Sequence, residues 1–448
     1  MNKTTIFLML LFMMMSGCDS DQEEITKKPH SSSSREACFK WIRCPTGEGV
    51  SNAVAVSADG MTVVGACLGN PRNKAFRWNL ITGIQLLPGM ENALDVSGNG
   101  EVIAGAPGRV WTQTTGTVSY YEWRGRPEVS KKSLVTAIHN DGNRAAGVYR
   151  DEPGVESDEY NMGFWDQGIT GSTWYWSWLG PNFYTDDDEP VRAHKYLYYH
   201  EPVALSANGK VLVGIASPAF DLGEHDFTEF FISELNENGL PGRSIFPDTL
   251  ATHPRKETGA FTGPNKWTIS RSYRSVASDV SSDGRVVVGT VIDGNSMAEG
   301  FRWTKETGMK LIGKMEGDSF TWANAITATG NTIIGNSGRG AFIYSEAWGF
   351  PHPLKEYLML NFDLEDELQS VALNSAVDIS DKGKVIVGNG SFNKRVAIET
   401  FKKVSNAWIN VEVSGRLKNT IEEKFREGLL AEENHRFARC LMDKSKYK

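Results

Sequence analysis

Two stretches of the chain concentrate side chains that could do chemistry. Residues 181–200 hold Tyr184, Asp186, Asp187, Asp188, Glu189, Arg192, His194, Tyr196, Tyr198, Tyr199 and His200. Residues 241–275 hold His253, Arg255, Lys256, Lys266 and Trp267. Just ahead of the first stretch, Trp174, Trp176 and Trp178 alternate along one strand-like segment. Aromatic faces beside carboxylates suit sugars, because rings cover the apolar C–H face while acids accept hydroxyl hydrogen bonds. Paired carboxylates also cleave glycosidic bonds when they stand about 5–9.5 Å apart. The same residues have plainer readings. Three tryptophans on one strand face can pack between sheets. Asp186 to Glu189 can be a solvated loop or a calcium site, and Tyr196 to His200 can simply pack an insert. The candidate ligand face is therefore Trp174, Trp176, Trp178, Tyr184, Asp186, Asp187, Asp188, Tyr196, Tyr198, His200, His253, Arg255 and Trp267.

Familiar catalytic signatures are missing. The chain has no G-x-S-x-G, no H-E-x-x-H, no Walker A and no EF-hand pattern. Its eight histidines are scattered, and His139 sits at a turn, where it reads as a polar turn residue. No cysteine–histidine spacing suggests zinc or haem, so no metal and no cofactor is expected. The motifs point away from an enzyme and leave catalytic residues unassigned. A net charge of -8 argues against a nucleic-acid partner. Hydrophobic residues at 40% and charged residues at 23% exclude wholesale disorder.

The segment that must deliver the protein to its compartment is the first eighteen residues. Lys3 is followed by an apolar run from Ile6 to Met15, too short to span a bilayer as a helix but suited to a signal-peptide core. Met15-Ser16-Gly17-Cys18 resembles the bacterial lipobox, with Met15 where leucine is usual. The resemblance implies cleavage before Cys18 and acylation of its thiol, hence a membrane partner through that anchor. Asp19, next to the anchored cysteine, resembles an inner-membrane retention signal, although bacteria differ in how they read this position. Residues 18–37 then form a polar tether that includes Ser31 to Ser34. The address is the cell envelope, facing the periplasm or the cell surface. In that oxidising compartment Cys38 and Cys44, which flank one short segment, are the candidate disulfide, with Cys67 and Cys440 as free thiols.

The scaffold that must position any site is a repeat. Residues 53–65 read AVAVSADGMTVVG, 277–289 read ASDVSSDGRVVVG and 376–388 read AVDISDKGKVIVG. Looser copies start at residues 93, 135, 202 and 323. Each is a β-branched run, a turn ending in glycine, and a second β-branched run closing in glycine. In the clearest units an aromatic strand, a Thr-Gly turn and one more strand follow, as in Phe76-Arg77-Trp78 with Thr82-Gly83 and Phe301-Arg302-Trp303 with Thr307-Gly308. Four short strands in about 40 residues is the period of a propeller blade. The fold class is all-β, a β-propeller of seven blades of four strands over residues 38–414, with six or eight blades left open because the two long gaps between repeats could hide a further unit. Phe39-Lys40-Trp41 supplies a strand to close the ring beside the last blade. A helical extension over 415–448 follows, with Leu417, Ile421, Phe425 and Leu429 recurring every four positions.

Ser57-Ala58-Asp59-Gly60 with Val63-Val64-Gly65, then Ala75-Phe76-Arg77-Trp78 and Thr82-Gly83, resembles the HAF-type probable extracellular repeat of bacterial secreted proteins. Leu354 to Leu358, Leu373 to Ile379 and Gly388-Asn389-Gly390 resemble its terminal unit. The resemblance implies a cell-envelope or extracellular β-repeat protein and brings no catalytic residues with it. The expected function is a binding scaffold for an envelope protein or a glycan, using the face that bears the two inserts. A carbohydrate-active lyase or hydrolase on that face, and a structural subunit of an envelope assembly, are the alternatives.

Overall fold

The computed structural model describes residues 37–412 apart from 70, 120–133, 151–159, 167–172, 177–181, 185–196, 219–228, 237–240, 246, 248–273, 293–296, 363 and 398–399, together with positions 423, 427, 434, 437 and 440. It is an all-β propeller. The first strand is β1 (Ala37–Ile42). A first four-stranded sheet follows from β2 (Val50–Val56), β3 (Thr62–Leu68), β4 (Lys74–Asn79) and β5 (Gly83–Leu86). The second holds β6 (Asn92–Val96), β7 (Val102–Ala106), β8 (Arg109–Thr112) and β9 (Gly116–Ser119).

A nine-stranded sheet comes next. It contains the meander β10 (Leu134–Ile138), β11 (Arg144–Arg150), β12 (Tyr160–Asp166) and β13 (Thr173–Trp176). It also contains β14 (Asn182–Tyr184) and the meander β15 (Leu197–Leu205), β16 (Val211–Pro218), β17 (Glu229–Leu235) and β18 (Pro241–Ile245). Three more four-stranded sheets complete the ring. One is β19 (Arg274–Val280), β20 (Val286–Ile292), β21 (Ala298–Thr304) and β22 (Gly308–Leu311). The next is β23 (Thr321–Ile326), β24 (Thr332–Ser337), β25 (Gly340–Ser345) and β26 (His352–Pro353), followed by helices α1 (Leu354–Phe362) and α2 (Glu365–Leu368). The last is β27 (Val371–Ile379), β28 (Val385–Ala397), β29 (Thr400–Glu412) and β1, which pairs antiparallel with β29 from Ala37↔Glu412 to Ile42↔Ala407.

Among the described residues the sheets number six, so the reading of seven separate blades, one for each repeat, is corrected. Every repeat does form its antiparallel hairpin. The third and fourth share one sheet because β15 extends far enough toward its N-terminus for Tyr199 to bridge Tyr160 of β12 in parallel. The seven innermost strands touch in the order β2, β6, β10, β15, β19, β23, β27 and back to β2.

Two glycines in each repeat have distinct jobs. The turn glycine takes a positive φ, 77° at Gly60, and packs so closely on the neighbouring unit that a Cβ there would stand 2.5 Å from Val385. The closing glycine lies under two obstacles. At Gly289 a Cβ would meet the Val276 carbonyl oxygen at 2.0 Å and the Phe301 ring at 2.8 Å. Gly289 pairs directly with Phe301, and likewise Gly65 with Phe76 and Gly335 with Phe342. These three phenylalanines are fully buried, each contributing roughly 1.5–3 kcal/mol of apolar burial. The aromatic third strand and the closing glycine are therefore one packing device.

The cysteines also need correction. Cys38 does not bond Cys44. It bonds Cys440, and Cys44 bonds Cys67, with Cα–Cα separations of 6.1 and 5.8 Å. The reason is the ring closure itself. Pairing of β1 with β29 places Cys38 at the last sheet's outer edge, in the same core cluster as Cys67, Trp78 and Phe437. The C-terminal segment reaches this junction. There Phe437 lies 6.3 Å from the Trp78 ring, and the Asn434 amide donates to the Asn79 and Leu80 carbonyls. Most of the helical extension expected at 415–448 lies outside the described residues.

Candidate functional site at the propeller axis

Each innermost strand carries a bulge at the same place in the repeat. The register slips past one residue, which has no partner on the second strand: Val54, Leu94, Thr136, Val203, Ser278, Asn324 and Val377. All seven line a cavity of about 440 Å³ at the axis. A bulge bends the strand and re-aims the following side chain. Here it frees the main-chain N–H two residues on and turns the intervening side chain sideways, toward the next unit.

In three units that intervening side chain is an aspartate, and its two oxygens are shared between neighbours. Asp95 accepts from Val96 N of its own strand and from Ile138 N of the next, both at 2.7 Å. Asp279 accepts from Val280 N at 2.7 Å and Ile326 N at 2.8 Å. Asp378 accepts from Ile379 N and from Val56 N, both at 2.7 Å. Three carboxylates thus serve six of the seven units. The other four units carry Ala55, Ala137, Ala204 and Ala325 at this position. The fourth unit has no aspartate of its own and follows one that has none either, so none of the three carboxylates serves it.

Burial pushes the Asp95 and Asp279 carboxyls up to about 7, against the pull of their two N–H donors. Asp378 is raised well above the carboxylate range by burial and by the charge of Asp279. Burial also raises Glu201 and Asp381, which line the same cavity. Side-chain amides join the ring. Asn389 accepts from Ala53 N at 2.9 Å and donates to Ala53 O at 3.1 Å, while Asn324 donates to Ala376 O at 2.7 Å.

A second ring lies in the hairpin turns. Asp59 N donates to Gly98 O, Gly98 N to Asn140 O, Asn208 N to Ser282 O, Ser282 N to Ala328 O, Ala328 N to Asp381 O and Asp381 N to Ala58 O. The remaining junction is made by His139, whose Nε2 lies 3.0 Å from Ala207 O and whose Nδ1 pairs with Asp141 at 2.7 Å. His139 is thus a turn residue with a ring-closing contact.

Of the residues read as a ligand face, those that are described (Trp174, Trp176, Tyr184, Tyr198 and His200) are not among the residues lining the axial cavity. Trp174 and Trp176 lie on β13, opposite Trp165 and Gly163 of β12. Tyr184 lies on β14, opposite Ile245, and Tyr198 and His200 lie on β15, with His200 opposite Ala216. Part of the first insert is therefore strand. Trp178, Asp186, Asp187, Asp188, Tyr196, His253, Arg255 and Trp267 lie outside the described residues. Sequence reasoning missed the axial aspartates, although they stand in the quoted repeats, as the Asp of ALDV, ASDV and AVDI. Among the described residues no group of three or more His, Cys, Asp or Glu is placed to hold a metal ion. Also among them, no helix is long and apolar enough to cross a membrane.

The fold and axis define a closed β-propeller, and comparisons with known proteins go no further. No family model matches the sequence, and no curated protein matches it. Solved structures with a similar course are distant. Oligogalacturonate lyase from Vibrio parahaemolyticus aligns with 86% of this chain and 100% of its own, at 10% identity and a TM-score of 0.44. TolB from Acinetobacter baumannii aligns with 67% of this chain at 11% identity and a TM-score of 0.34, and this chain covers 52% of the TolB chain. The β-propeller domain of the Trilobed protease from Pyrococcus furiosus aligns with 80% of this chain and 94% of its own, at 12% identity and a TM-score of 0.41.

Proposed function

We propose that this chain is a lipid-anchored envelope propeller of HAF-type repeats, acting as a binding scaffold for a protein or glycan partner. The observation that carries the scaffold reading is how the axial carboxylates are used. A general acid or nucleophile needs a free oxygen directed at substrate. Asp95, Asp279 and Asp378 instead commit both oxygens to main-chain donors of two adjacent strands. Their raised pKa values follow from burial in a structural role. What the axis offers a partner is a rigid cavity with Ser278 and Asn324 on one arc and Val377, Val54 and Leu94 on another. Two disulfides support an oxidising compartment, in keeping with acylation at Cys18 and an envelope location.

The test is photo-crosslinking in the intact envelope, with the reactive side chain placed at Ser278 in the cavity or at Lys310 on the exposed outer strand. Capture of one species from Ser278 and not from Lys310 supports an axial binding scaffold. A folded protein that captures nothing from Ser278 sinks the axial reading. Turnover of a sugar substrate that disappears in Asp95→Asn or Asp279→Asn would replace the scaffold with an enzyme.

A further inference from the structure

Three of the exposed large hydrophobic residues gather in one short region. Trp348 and Phe350 stand on the connection between β25 and β26, with 38% and 53% of their surface exposed. Leu360 of α1 is 44% exposed. The rings form a continuous group. His352 lies 5.0 Å from Trp348 and 4.4 Å from Phe350, and Tyr357 of α1 lies 5.6 Å from Trp348. Leu360 is three positions beyond Tyr357 and so shares its side of the helix. Burial holds His352 below the ordinary imidazole range, which keeps the centre of the group uncharged near neutrality.

The place of this patch follows from register. Ser345 pairs with Thr332, the first residue after a hairpin turn, so the aromatic connection leaves β25 at the turn-bearing face. The described chain begins on that same face. Ala37 pairs with Glu412, and Val411 pairs with Val385, which directly follows the last hairpin turn. Ala37 also belongs to the core cluster that takes up the inner side of α1, Leu354, Leu358 and Phe362. The tether from Cys18 to Ala37 is polar and serine-rich. A polar linker of that length is expected, from composition alone, to reach roughly 25 Å on average. The start of the described chain at Ala37 and the aromatic patch therefore share one face of the propeller.

We propose that Trp348, Phe350 and Leu360 form a bilayer-interface contact that seats the turn-bearing face of the propeller on the membrane to which Cys18 is anchored. Tryptophan favours the headgroup boundary, where its apolar body is buried and its N–H stays wet, while phenylalanine and leucine supply apolar area to insert. The tether keeps the patch at high local concentration, so a contact too weak to recruit a free protein still forms. Glu346 and Glu356 flank the patch, so its partner is a zwitterionic surface and apolar insertion supplies the attraction. The proposal rests on the anchored reading for proximity alone.

The full-length protein is bound to phosphatidylcholine vesicles with brominated acyl chains, and quenching of its tryptophan fluorescence is measured. The expected result is a quenched component that is lost in Trp348→Phe and lost again in Phe350→Ser/Leu360→Ser, while all three proteins still sediment with the vesicles. Quenching equal in all three overturns the contact. The single variants Phe350→Ser and Leu360→Ser give the same reading if the double variant is misfolded. The mass of the N-terminal peptide reports acylation of Cys18 separately. An unacylated chain whose quenching still depends on Phe350 and Leu360 would remove the anchor and keep the patch.

Discussion

Replacing Asp279 by asparagine is the sharpest test of the axial ring. The wild-type carboxyl accepts from Val280 N and Ile326 N, one on each oxygen, and each oxygen keeps a lone pair for its donor when the group is protonated. An amide offers one oxygen and sets its NH₂ against the second N–H, so one bond is lost and a main-chain donor is stranded. That costs about 1.5–3 kcal/mol. The wild-type group carries its own pH dependence. Its carboxyl stands at about 7 in the folded protein against an ordinary 3.8. A group raised in this way contributes stability that is fully present below about pH 4 and lost as pH rises through 7. At about 1.4 kcal/mol per tenfold change in proton affinity, the full effect is on the order of 4 kcal/mol. Because the half-buried side chain lines an open cavity, solvent screening reduces it to about 2–3 kcal/mol. Asparagine does not titrate. The variant should therefore be less stable than wild type by about 2 kcal/mol at pH 5, with the gap closing or reversing by about pH 9. Urea unfolding of both proteins at the two pH values measures this. Comparing the pair removes groups that do not feel Asp279, while Asp378, which its charge raises, relaxes in the variant and adds to the closing of the gap at high pH. A gap that is constant with pH, or one that widens toward pH 9, would refute the assignment.

Other expectations follow from contacts already described. Gly289→Ala forces a Cβ to 2.0 Å from a main-chain oxygen and should cost about 3 kcal/mol or abolish folding, whereas Gly308→Ala, at φ 63° in open space, should cost only about 1–2 kcal/mol; thermal melts rank the two. Removing the Cys38–Cys440 bond, which ties residues 402 apart, should lower stability by about 3–5 kcal/mol, seen as a lower urea midpoint for Cys38→Ser/Cys440→Ser than for wild type in the absence of reductant. Asn389→Ala leaves the Ala53 N–H and carbonyl of the first unit without their side-chain partner. It should cost about 1–3 kcal/mol and speed hydrogen exchange at the junction of first and last units.

Local features of the fold were legible in the sequence. The alternation of β-branched residues around a turn glycine marks every inner hairpin, and Phe39-Lys40-Trp41 does form the closing strand. Properties that depend on distant parts of the chain were not. The cysteine pairing follows from bringing residues 38 and 440 to one junction, and spacing along the chain carries no trace of that. The sheet count turned on a single parallel bridge between Tyr160 and Tyr199. The axial aspartates were visible as letters, but as alternating strand residues they pointed nowhere in particular. Only the bulge, a one-residue slip set by the packing of adjacent units, gives them a neighbour to bond. The insert residues from Asp186 to Asp188 and from His253 to Trp267 lie outside the described residues.

The pairing of β1 with β29 also sets a clock on biosynthesis. Ala37 finds Glu412 only after 375 further residues (412 - 37) have been made, roughly 20–75 s after its own synthesis at about 5–20 residues per second. Throughout that interval Ala-Cys-Phe-Lys-Trp-Ile is an apolar strand with no edge to join. Its cysteine is likewise without its partner while Cys44 and Cys67 are already available to it. A chain entering the oxidising compartment N-terminus first thus presents Cys38 to Cys44 and Cys67 before Cys440 arrives. A thiol–disulfide isomerase would be needed most at this step.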